Sequence, residues 1–194
     1  MPLGEYRKKR RFDVTAEPKG KDRPVTTPRR KGKKLAFVIQ KHRATALHYD
    51  FRLEWKGVML SWAVPKGPSY DPSVKRMAMQ VEDHPIEYNK FEGIIPAGEY
   101  GGGTVMIWDQ GIWTPESEDV DAALEKGDLK LTMEGKKLHG SWVLVRTRRG
   151  EERKPQWLLI KHRDEYAEEG ADIVADVQTS VATGRSMEEI ASRG

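Results

Sequence analysis

The chain has 194 residues, of which 37% are hydrophobic and 33% are charged, and it contains six Trp but no Cys. This length fits one domain with tails, and the lack of Cys excludes disulfides, thiolate catalysis and Cys-based zinc sites, so any metal must be held by His, Asp or Glu. No apolar run approaches the ~20 residues that span a bilayer, and the first residues lack a secretion signal, so we expect a cytoplasmic protein that does not contact membranes.

Basic residues are concentrated in the first 34 positions. Residues 1–34 hold 13 Lys or Arg against four Asp or Glu, a local charge of +9, whereas the whole chain carries +4. Pro and Gly interrupt this segment and no apolar periodicity runs through it, so we predict a basic arm that is partly extended or disordered. Such an arm suits phosphate backbones through counterion release, and a merely solvated tail is the alternative.

Short β-rich runs, separated by Gly and Pro, occupy the chain from about residue 35 to residue 165. Their number and length favour a mainly β fold, a compact closed β-barrel of about eight strands with few short helices. The eight predicted strands are Leu35–Gln40, Leu47–Trp55, Val58–Val64, Arg76–Glu82, Gly103–Trp108, Leu129–Met133, Ser141–Thr147 and Trp157–Lys161.

Helical signals are sparse. One helical pattern covers Val120–Lys126, and a capping box formed by Ser186 and Glu189 predicts a short helix near the C-terminus. We therefore expect three segments: the basic arm over residues 1–34, a β-barrel domain over residues 35–165, and a C-terminal tail or linker with a short helix over residues 166–194.

Two predicted strands carry rows of ionisable side chains, because successive side chains of a strand point to opposite faces. In strand 47–55 the polar row is His48, Asp50, Arg52 and Glu54, while the opposite face, which we assign to the core, is Leu47, Tyr49, Phe51, Leu53 and Trp55. Along strand 76–82 and just beyond it the polar row is Arg76, Gln80, Glu82 and His84, with Met77, Met79 and Val81 opposite.

The densest polar cluster surrounds the turn between the first two predicted strands. If these strands are neighbours, the turn brings His42 beside His48 and Asp50, and three N, N and O donors then converge with open positions for water and substrate. Arg52 lies two residues beyond Asp50, about 6.6 Å further along the same face of the strand. This distance suits a guanidinium that binds a phosphate whose other oxygen contacts the metal. The cluster therefore predicts a metal and phosphate site.

Other candidates come from the same strands and their loops. His84 is a third imidazole that could protonate a departing oxygen or steady developing charge. Lys66 and Arg76 are candidate phosphate clamps. The glycine-rich segment 96–103 matches neither the Walker pattern nor the dinucleotide fingerprint, and no helix follows it, so we interpret it as a tight connection.

The residues in these motifs resemble the 3′-phosphoesterase domain of bacterial DNA ligase D and its stand-alone relatives. The resemblance covers roughly residues 5–165, and its most specific parts are Phe37-Val38-Ile39-Gln40-Lys41-His42, His48-Tyr49-Asp50-Phe51-Arg52-Leu53-Glu54, Ser61-Trp62-Ala63-Val64-Pro65-Lys66-Gly67-Pro68-Ser69, His84-Pro85 with Tyr88, Gly93-Ile94-Ile95-Pro96 with Gly98 to Gly101, and Trp157-Leu158-Leu159-Ile160-Lys161.

This resemblance implies a β-barrel with a polar, site-bearing interior and a manganese ion, Co²⁺ or Zn²⁺ being substitutes. It implies removal of a 3′-terminal ribonucleoside, then of the resulting 3′-phosphate, in non-homologous end joining. By the resemblance the metal ligands are His42, His48 and Asp50, the phosphate ligands are Arg52 and His84, and the supporting residues are Gln40, Ser61, Lys66, Arg76, Glu82 and Tyr88, with Arg10 and Glu17 from the arm.

The same resemblance implies partners and a location. The substrate would be DNA with a 3′-phosphate or 3′-ribonucleotide end in a primer–template, and the partners a ligase and polymerase module, in cis or in trans, and a DNA-end-binding protein. We expect a monomer in a bacterial or archaeal cytoplasm, associated with the nucleoid. One departure is that Arg11 stands where the family has Asp after Arg10, which weakens the expected ribonucleoside removal relative to phosphate hydrolysis.

Two alternatives stay open. Two His and one carboxylate on a β-barrel are also the ligand set of non-haem Fe(II) oxygenases, although these need an apolar pocket instead of neighbouring Arg and Lys. A non-catalytic DNA-end-binding module would use the basic arm alone and would ignore chelators.

Overall fold

We describe a computed structural model of the chain, in which residues 2–24, 34–151 and 154–193 are described, residues 149–151 by their backbone alone. The described part is mainly β. Its strands are β1 (Leu35–Arg43), β2 (Leu47–Trp55), β3 (Val58–Val64), β4 (Arg76–His84), β5 (Gly93–Ile95), β6 (Gly103–Pro115), β7 (Asp128–Gly135), β8 (His139–Glu151) and β9 (Lys154–Lys161).

The strands form a closed antiparallel barrel. Eight of them follow the order β1-β2-β3-β4-β9-β8-β7-β6, and β6 pairs back with β1 to close the ring. The predicted closed barrel of eight strands is therefore confirmed. The three-residue strand β5 adds to β6 as a ninth strand, and it was not predicted because three residues are too few to show an alternating pattern.

The barrel interior is apolar and aromatic. All eight barrel strands contribute to one buried cluster, whose large members include Phe37, Phe51, Trp62, Trp108, Trp142 and Trp157. The expected polar, site-bearing interior is therefore wrong. Because side chains alternate along a strand, β2 points Tyr49, Phe51 and Leu53 into this core and turns its polar row to the outer face.

On β4 the predicted alternation is wrong. Val81 and His84, expected on opposite faces, line the same cavity, while Gln80 accepts a hydrogen bond from the indole N–H of a core tryptophan. The reason is an irregularity in the pairing, where Met59 lies opposite His84 and Ser61 opposite Val81. One extra residue on β4 makes a β-bulge, and a bulge re-aims the side chains that follow it.

The first part of the arm packs on the barrel. Helix α1 (Gly4–Lys8) contacts β4, and its Tyr6 is fully buried. The basic residues Arg29, Arg30, Lys31 and Lys33 lie outside the described residues. Burial of an aromatic side chain in this segment fixes residues 2–24 as part of the fold, although the division of the chain into three segments stays a prediction.

Short helices complete the fold. They are a 3₁₀ helix at Ile86–Lys90, α2 (Val120–Lys126), α3 (Ile173–Asp176) and α4 (Met187–Ala191). The α2 bounds agree with the sequence prediction, and the predicted capping box at Ser186 is formed. Met187 and Ile190 are buried in the same cluster as the barrel interior. Among the described residues no helix is long and apolar enough to cross a membrane.

Candidate metal and phosphate site

The predicted polar residues converge on one cavity of about 310 Å³ on the outer face of the barrel wall. Strands β1, β2 and β4 supply most of its polar lining, and the arm and the loop between β5 and β6 close its sides. The polar residues that matter below are His42, His48, Asp50, Arg52, His84 and Arg10.

Three donors meet at the β1–β2 hairpin, as predicted. His42 and His48 are direct cross-strand partners, and their ring centroids lie 4.8 Å apart. His42 Nδ1 and His48 Nε2 each lie 3.5 Å from an oxygen of Asp50. One ligand atom from each residue lies within 4.8 Å of the others, a spacing that allows all three to reach one divalent ion.

The outer hydrogen bonds of the two imidazoles support this assignment. His42 Nε2 lies 2.7 Å from the Gly101 carbonyl oxygen, and His48 Nδ1 lies 3.0 Å from the Ala46 carbonyl oxygen. A carbonyl can only accept, so each of these nitrogens carries the proton, and the other ring nitrogen presents its lone pair to the space beside Asp50 where a cation would lie. Metal-binding histidines are oriented in this way by second hydrogen bonds.

Asp50 is a carboxylate in this cluster. Its burial would raise the pKa, but the charge of the Arg52 guanidinium holds the pKa of Asp50 well below its usual value. The residues therefore fit a divalent cation: two imidazole nitrogens and one carboxylate oxygen are a ligand set for transition metals.

Arg52 is buried beside the donors with one unused hydrogen-bonding group. It is 2% exposed, Nε donates to Gln40 Oε1 at 2.8 Å, and Nη2 donates to Asp50 Oδ2 at 3.1 Å. Nη1 is buried and has no hydrogen-bond partner among the described residues. A buried guanidinium N–H without an acceptor is costly unless a ligand supplies one, and a phosphate oxygen is a suitable acceptor.

His84 is a neutral imidazole in this structure. Its Nδ1 lies 2.9 Å from the Glu82 carbonyl oxygen, so Nδ1 carries the proton, and Nε2 accepts from Arg10 Nη2 at 3.3 Å. Burial, followed by the charges of Arg52 and Arg10, holds the pKa of His84 well below its usual value. A proton-donating role for His84 therefore requires a negative charge between the two guanidiniums.

The arm supplies two residues to the site. Arg10 Nε donates to Glu17 Oε1 at 2.8 Å, and the Tyr88 hydroxyl donates to the same oxygen at 2.9 Å. Arg10 also donates to Glu82 Oε1 at 3.3 Å. The structure thus joins Arg10, Glu17, Glu82 and Tyr88, which the sequence alone could not place together because 65 residues or more separate Arg10 and Glu17 from Glu82 and Tyr88.

Other predicted site residues lie outside the cavity lining. Lys66 is exposed in the turn after β3, and Arg76 pairs with β9. Ser61 is buried and its hydroxyl donates to the Met59 carbonyl at 2.9 Å. Gln40 does not line the cavity either, but it positions Arg52: its amide nitrogen donates to two backbone carbonyls, and its amide oxygen accepts a hydrogen bond from Arg52 Nε. The phosphate-clamp roles of Lys66 and Arg76 remain predictions.

Tyr100 and Ala63 line the cavity but were not predicted. Tyr100 lies in an irregular loop, where no periodicity reports the direction of a side chain, and its position beside the glycines gave no chemical signal.

The fold and the cavity together define a class, a β-barrel protein with a two-histidine, one-carboxylate cluster next to buried arginines. Within this class the chain matches the family described as DNA Ligase D 3′-phosphoesterase domain over residues 40–146. The chain belongs to that family. The family's description names a phosphoesterase, a hydrolase of phosphoester bonds.

Curated relatives agree with this membership. The chain is 47% identical over 190 residues to the multifunctional non-homologous end joining protein LigD of Pseudomonas aeruginosa, covering 96% of the chain and 22% of the relative. It is 44% identical over 145 residues to the LigD DNA repair protein of Mycobacterium tuberculosis, covering 75% of the chain and 18% of the relative. The chain therefore spans about a fifth of the length of these relatives.

Proposed function

We propose that this chain is a metal-dependent phosphoesterase that processes DNA 3′ ends, removing a 3′-phosphate and a 3′-terminal ribonucleoside before ligation in non-homologous end joining. The observation that carries the proposal is the buried Arg52, whose Nη1 lacks a partner among the described residues and which lies beside three convergent metal donors. An anion bound at Arg52 would therefore also adjoin a cation at the donors. Membership of the family and the names of the relatives support the same reading.

In this proposal His42, His48 and Asp50 hold the metal. When bound, a divalent ion supplies Lewis-acid polarisation of the phosphoryl group and lowers the pKa of a coordinated water. Manganese is the proposed ion by resemblance to the family, and Co²⁺ or Zn²⁺ also suit imidazole and carboxylate ligands.

The chain's own residues bind and orient the phosphoester. Arg52 and Arg10 neutralise the phosphate oxygens, and their positions are fixed by Gln40 and Glu17. A dianionic phosphate between the two guanidiniums offsets the positive potential that keeps His84 neutral, so His84 Nε2 can hold a proton and pass it to the departing ribose oxygen.

The arm bears on the balance between the two reactions. Arg11 lies at the position where the family has Asp, and it is exposed and paired with Glu99 of the glycine-rich loop. A cation at this position cannot accept a proton or a hydrogen bond from a ribose hydroxyl. We therefore propose that this chain hydrolyses a 3′-phosphate faster than it removes a ribonucleoside.

The proposed setting follows the relatives. Two of them are named as multifunctional end-joining proteins, so we propose that the domain works with ligase and polymerase modules, in cis or in trans, and with a DNA-end-binding protein. The proposed protein is a monomer that acts on primer–template DNA in a bacterial or archaeal cytoplasm, at the nucleoid.

The test measures inorganic phosphate released from a duplex with a recessed 3′-phosphate, with Mn²⁺ and with EDTA. We expect Mn²⁺-dependent release, and a loss of about 100-fold or more in His42→Ala, Asp50→Ala and His84→Ala. His139→Ala is the matched control, because the His139 ring stacks on Tyr166 instead of lining the cavity. Full activity in the first three variants would refute the proposal.

The same preparation separates the alternatives. Oxygen uptake that depends on ferrous iron would support an oxygenase, although such an enzyme needs an apolar pocket, and here the buried Arg52 and Arg10 lie beside the donors. DNA binding that is salt-sensitive, unaffected by EDTA and accompanied by no phosphate release would support a non-catalytic end-binding module.

A further inference from the structure

An exposed tyrosine stands at the rim of the cavity. Tyr100 belongs to the loop between β5 and β6, lines the cavity that holds His42 and Arg52, and is 47% exposed. The next residue, Gly101, accepts the hydrogen bond from His42 Nε2 at 2.7 Å. The position of this aromatic ring is therefore tied to the candidate metal donors.

Two cations of the arm flank the ring. The Arg10 guanidinium lies 5.3 Å from the ring centre, and Lys9 Nζ lies 4.9 Å from it. Lys9 is itself held by Glu82, with 3.0 Å between Nζ and Oε2. Cation–π contacts of this kind orient an aromatic ring without covering all of it.

The other exposed tyrosine among the described residues differs from Tyr100. Tyr166 is 45% exposed, but its ring stacks on the His139 ring with centroids 5.4 Å apart. Tyr100 has no such aromatic neighbour among the described residues, and its exposed ring lies at the rim of a cavity that Arg10 and Arg52 also line. An exposed aromatic beside phosphate-binding cations is the combination that single-stranded nucleic acid ends use for stacking.

We propose that Tyr100 is the stacking platform for the base of the 3′-terminal nucleotide. The inference rests on the proposed function, since it takes the phosphate to lie at Arg52 and His84. Arg10 contacts both the proposed phosphate position and the Tyr100 ring. Its Nη2 lies 3.3 Å from His84 Nε2, and its guanidinium carbon lies 5.3 Å from the centre of the Tyr100 ring. A nucleoside 3′-phosphate carries its base one ribose away from the phosphate, and every base offers a π-face, so the platform accepts all four bases.

The test compares two recessed 3′-phosphate ends that differ in the terminal base. One end carries an ordinary nucleotide and the other a tetrahydrofuran abasic residue. We expect the wild-type chain to have a kcat/KM about 5- to 100-fold higher for the end with a base. In Tyr100→Ala this ratio falls to about one, whereas Tyr100→Phe keeps it because the ring remains. Tyr166→Ala, the matched control, keeps the wild-type ratio.

The outcomes are distinct. Phosphate release by the wild-type chain from both ends at equal rates, or an unchanged ratio in Tyr100→Ala, would overturn the platform and leave the proposed function intact. Release from neither end would overturn the proposed function and, with it, this inference. Thermal unfolding of each variant shows whether it is folded, and a ratio of rates is insensitive to the amount of active protein.

A second readout reports stacking without catalysis. A duplex with 2-aminopurine as the 3′-terminal base is titrated with protein in EDTA. We expect binding to quench the 2-aminopurine fluorescence in the wild-type chain, Tyr100→Phe and Tyr166→Ala, because stacking on an aromatic ring quenches this base. Equal quenching by Tyr100→Ala would contradict the proposal.

Discussion

The buried ion pair between Arg10 and Glu17 lies within the arm, and these two side chains attach the arm to the barrel through Tyr88 and Glu82, so removal of the pair should release the arm. The side chains of Arg10 and Glu17 are 5% and 0% exposed. Glu17 also accepts hydrogen bonds from the Tyr88 hydroxyl at 2.9 Å and from the Thr15 hydroxyl at 3.0 Å. Glu17→Ala therefore leaves a buried guanidinium and two buried hydroxyls without their acceptor.

The expected cost follows from these contacts. Breaking a buried pair by removing one partner costs about 3–5 kcal/mol. Arg10 keeps a second carboxylate, because Nη1 still lies 3.3 Å from Glu82 Oε1, so the lower end applies and we expect about 3 kcal/mol. Glu17→Gln keeps the shape and one acceptor oxygen, so its cost should be about 1–2 kcal/mol.

Trypsin reports the release of the arm. Cleavage after Arg10 requires this buried side chain to enter the protease, so its rate follows the open fraction of the arm when opening is fast. A loss of 3 kcal/mol corresponds to cleavage about 100-fold faster in Glu17→Ala, followed by mass spectrometry of the bond between residues 10 and 11. Glu5→Ala is the control, since Glu5 and Lys8 form an exposed pair of side chains.

Unfolding in urea, monitored by Trp fluorescence, completes the experiment. If the arm and barrel unfold together, the same loss should reduce the free energy of unfolding. A cleavage rate within about threefold of wild type, with an unfolding free energy unchanged within about 0.5 kcal/mol, would refute the role assigned to the Arg10–Glu17 pair.

Three further predictions concern metal, pH and the core. Saturating Mn²⁺ should stabilise the wild-type chain by about 2.7 kcal/mol at 100 times its Kd, and not Asp50→Ala, as measured by thermal unfolding; equal shifts would contradict the metal site. Burial, helped by neighbouring Glu82, raises the pKa of Asp83 to about 6, so folding disfavours its ionised form: Asp83→Asn should gain at most about 3 kcal/mol at pH 7, and this gain should vanish below about pH 4, in urea titrations at both pH values. Trp157 Nε1 donates to a glutamine at 3.0 Å whereas Trp62 Nε1 is buried with no partner among the described residues, so Trp157→Phe should destabilise by about 1 kcal/mol more than Trp62→Phe; the reverse order in urea unfolding would count against this account.

The sequence predicted the barrel wall and the cluster of candidate metal donors because both depend on short-range geometry. The period of two along β2 places His48, Asp50 and Arg52 on one face whatever the rest of the fold does, and the short turn before β2 makes His42 and His48 cross-strand partners. These placements are confirmed by the structure, while the roles assigned to the residues stay predictions.

The rest of the site depends on long-range packing that a periodic pattern does not report. The bulge on β4 lies between Val81 and His84 and turns His84 to the face that Val81 occupies, and no local residue type announces it. The positions of Arg10 and Glu17 follow from the docking of the arm, which a charge count predicts only as a basic tail. The polar interior that the family resemblance implied was wrong, whereas the alternation itself had assigned Tyr49, Phe51 and Leu53 to the core correctly.

The way the two ends of the described chain pack on the barrel bears on how a minimal fragment of this protein should be chosen. Trimming to the family-matched span 40–146 would delete β9 and leave β4 and β8 with unpaired edges, which favour aggregation. It would also remove Met187 and Ile190, two buried side chains of the hydrophobic core. A fragment intended for crystallisation or screening should therefore retain residues 2–24 and extend through residue 191.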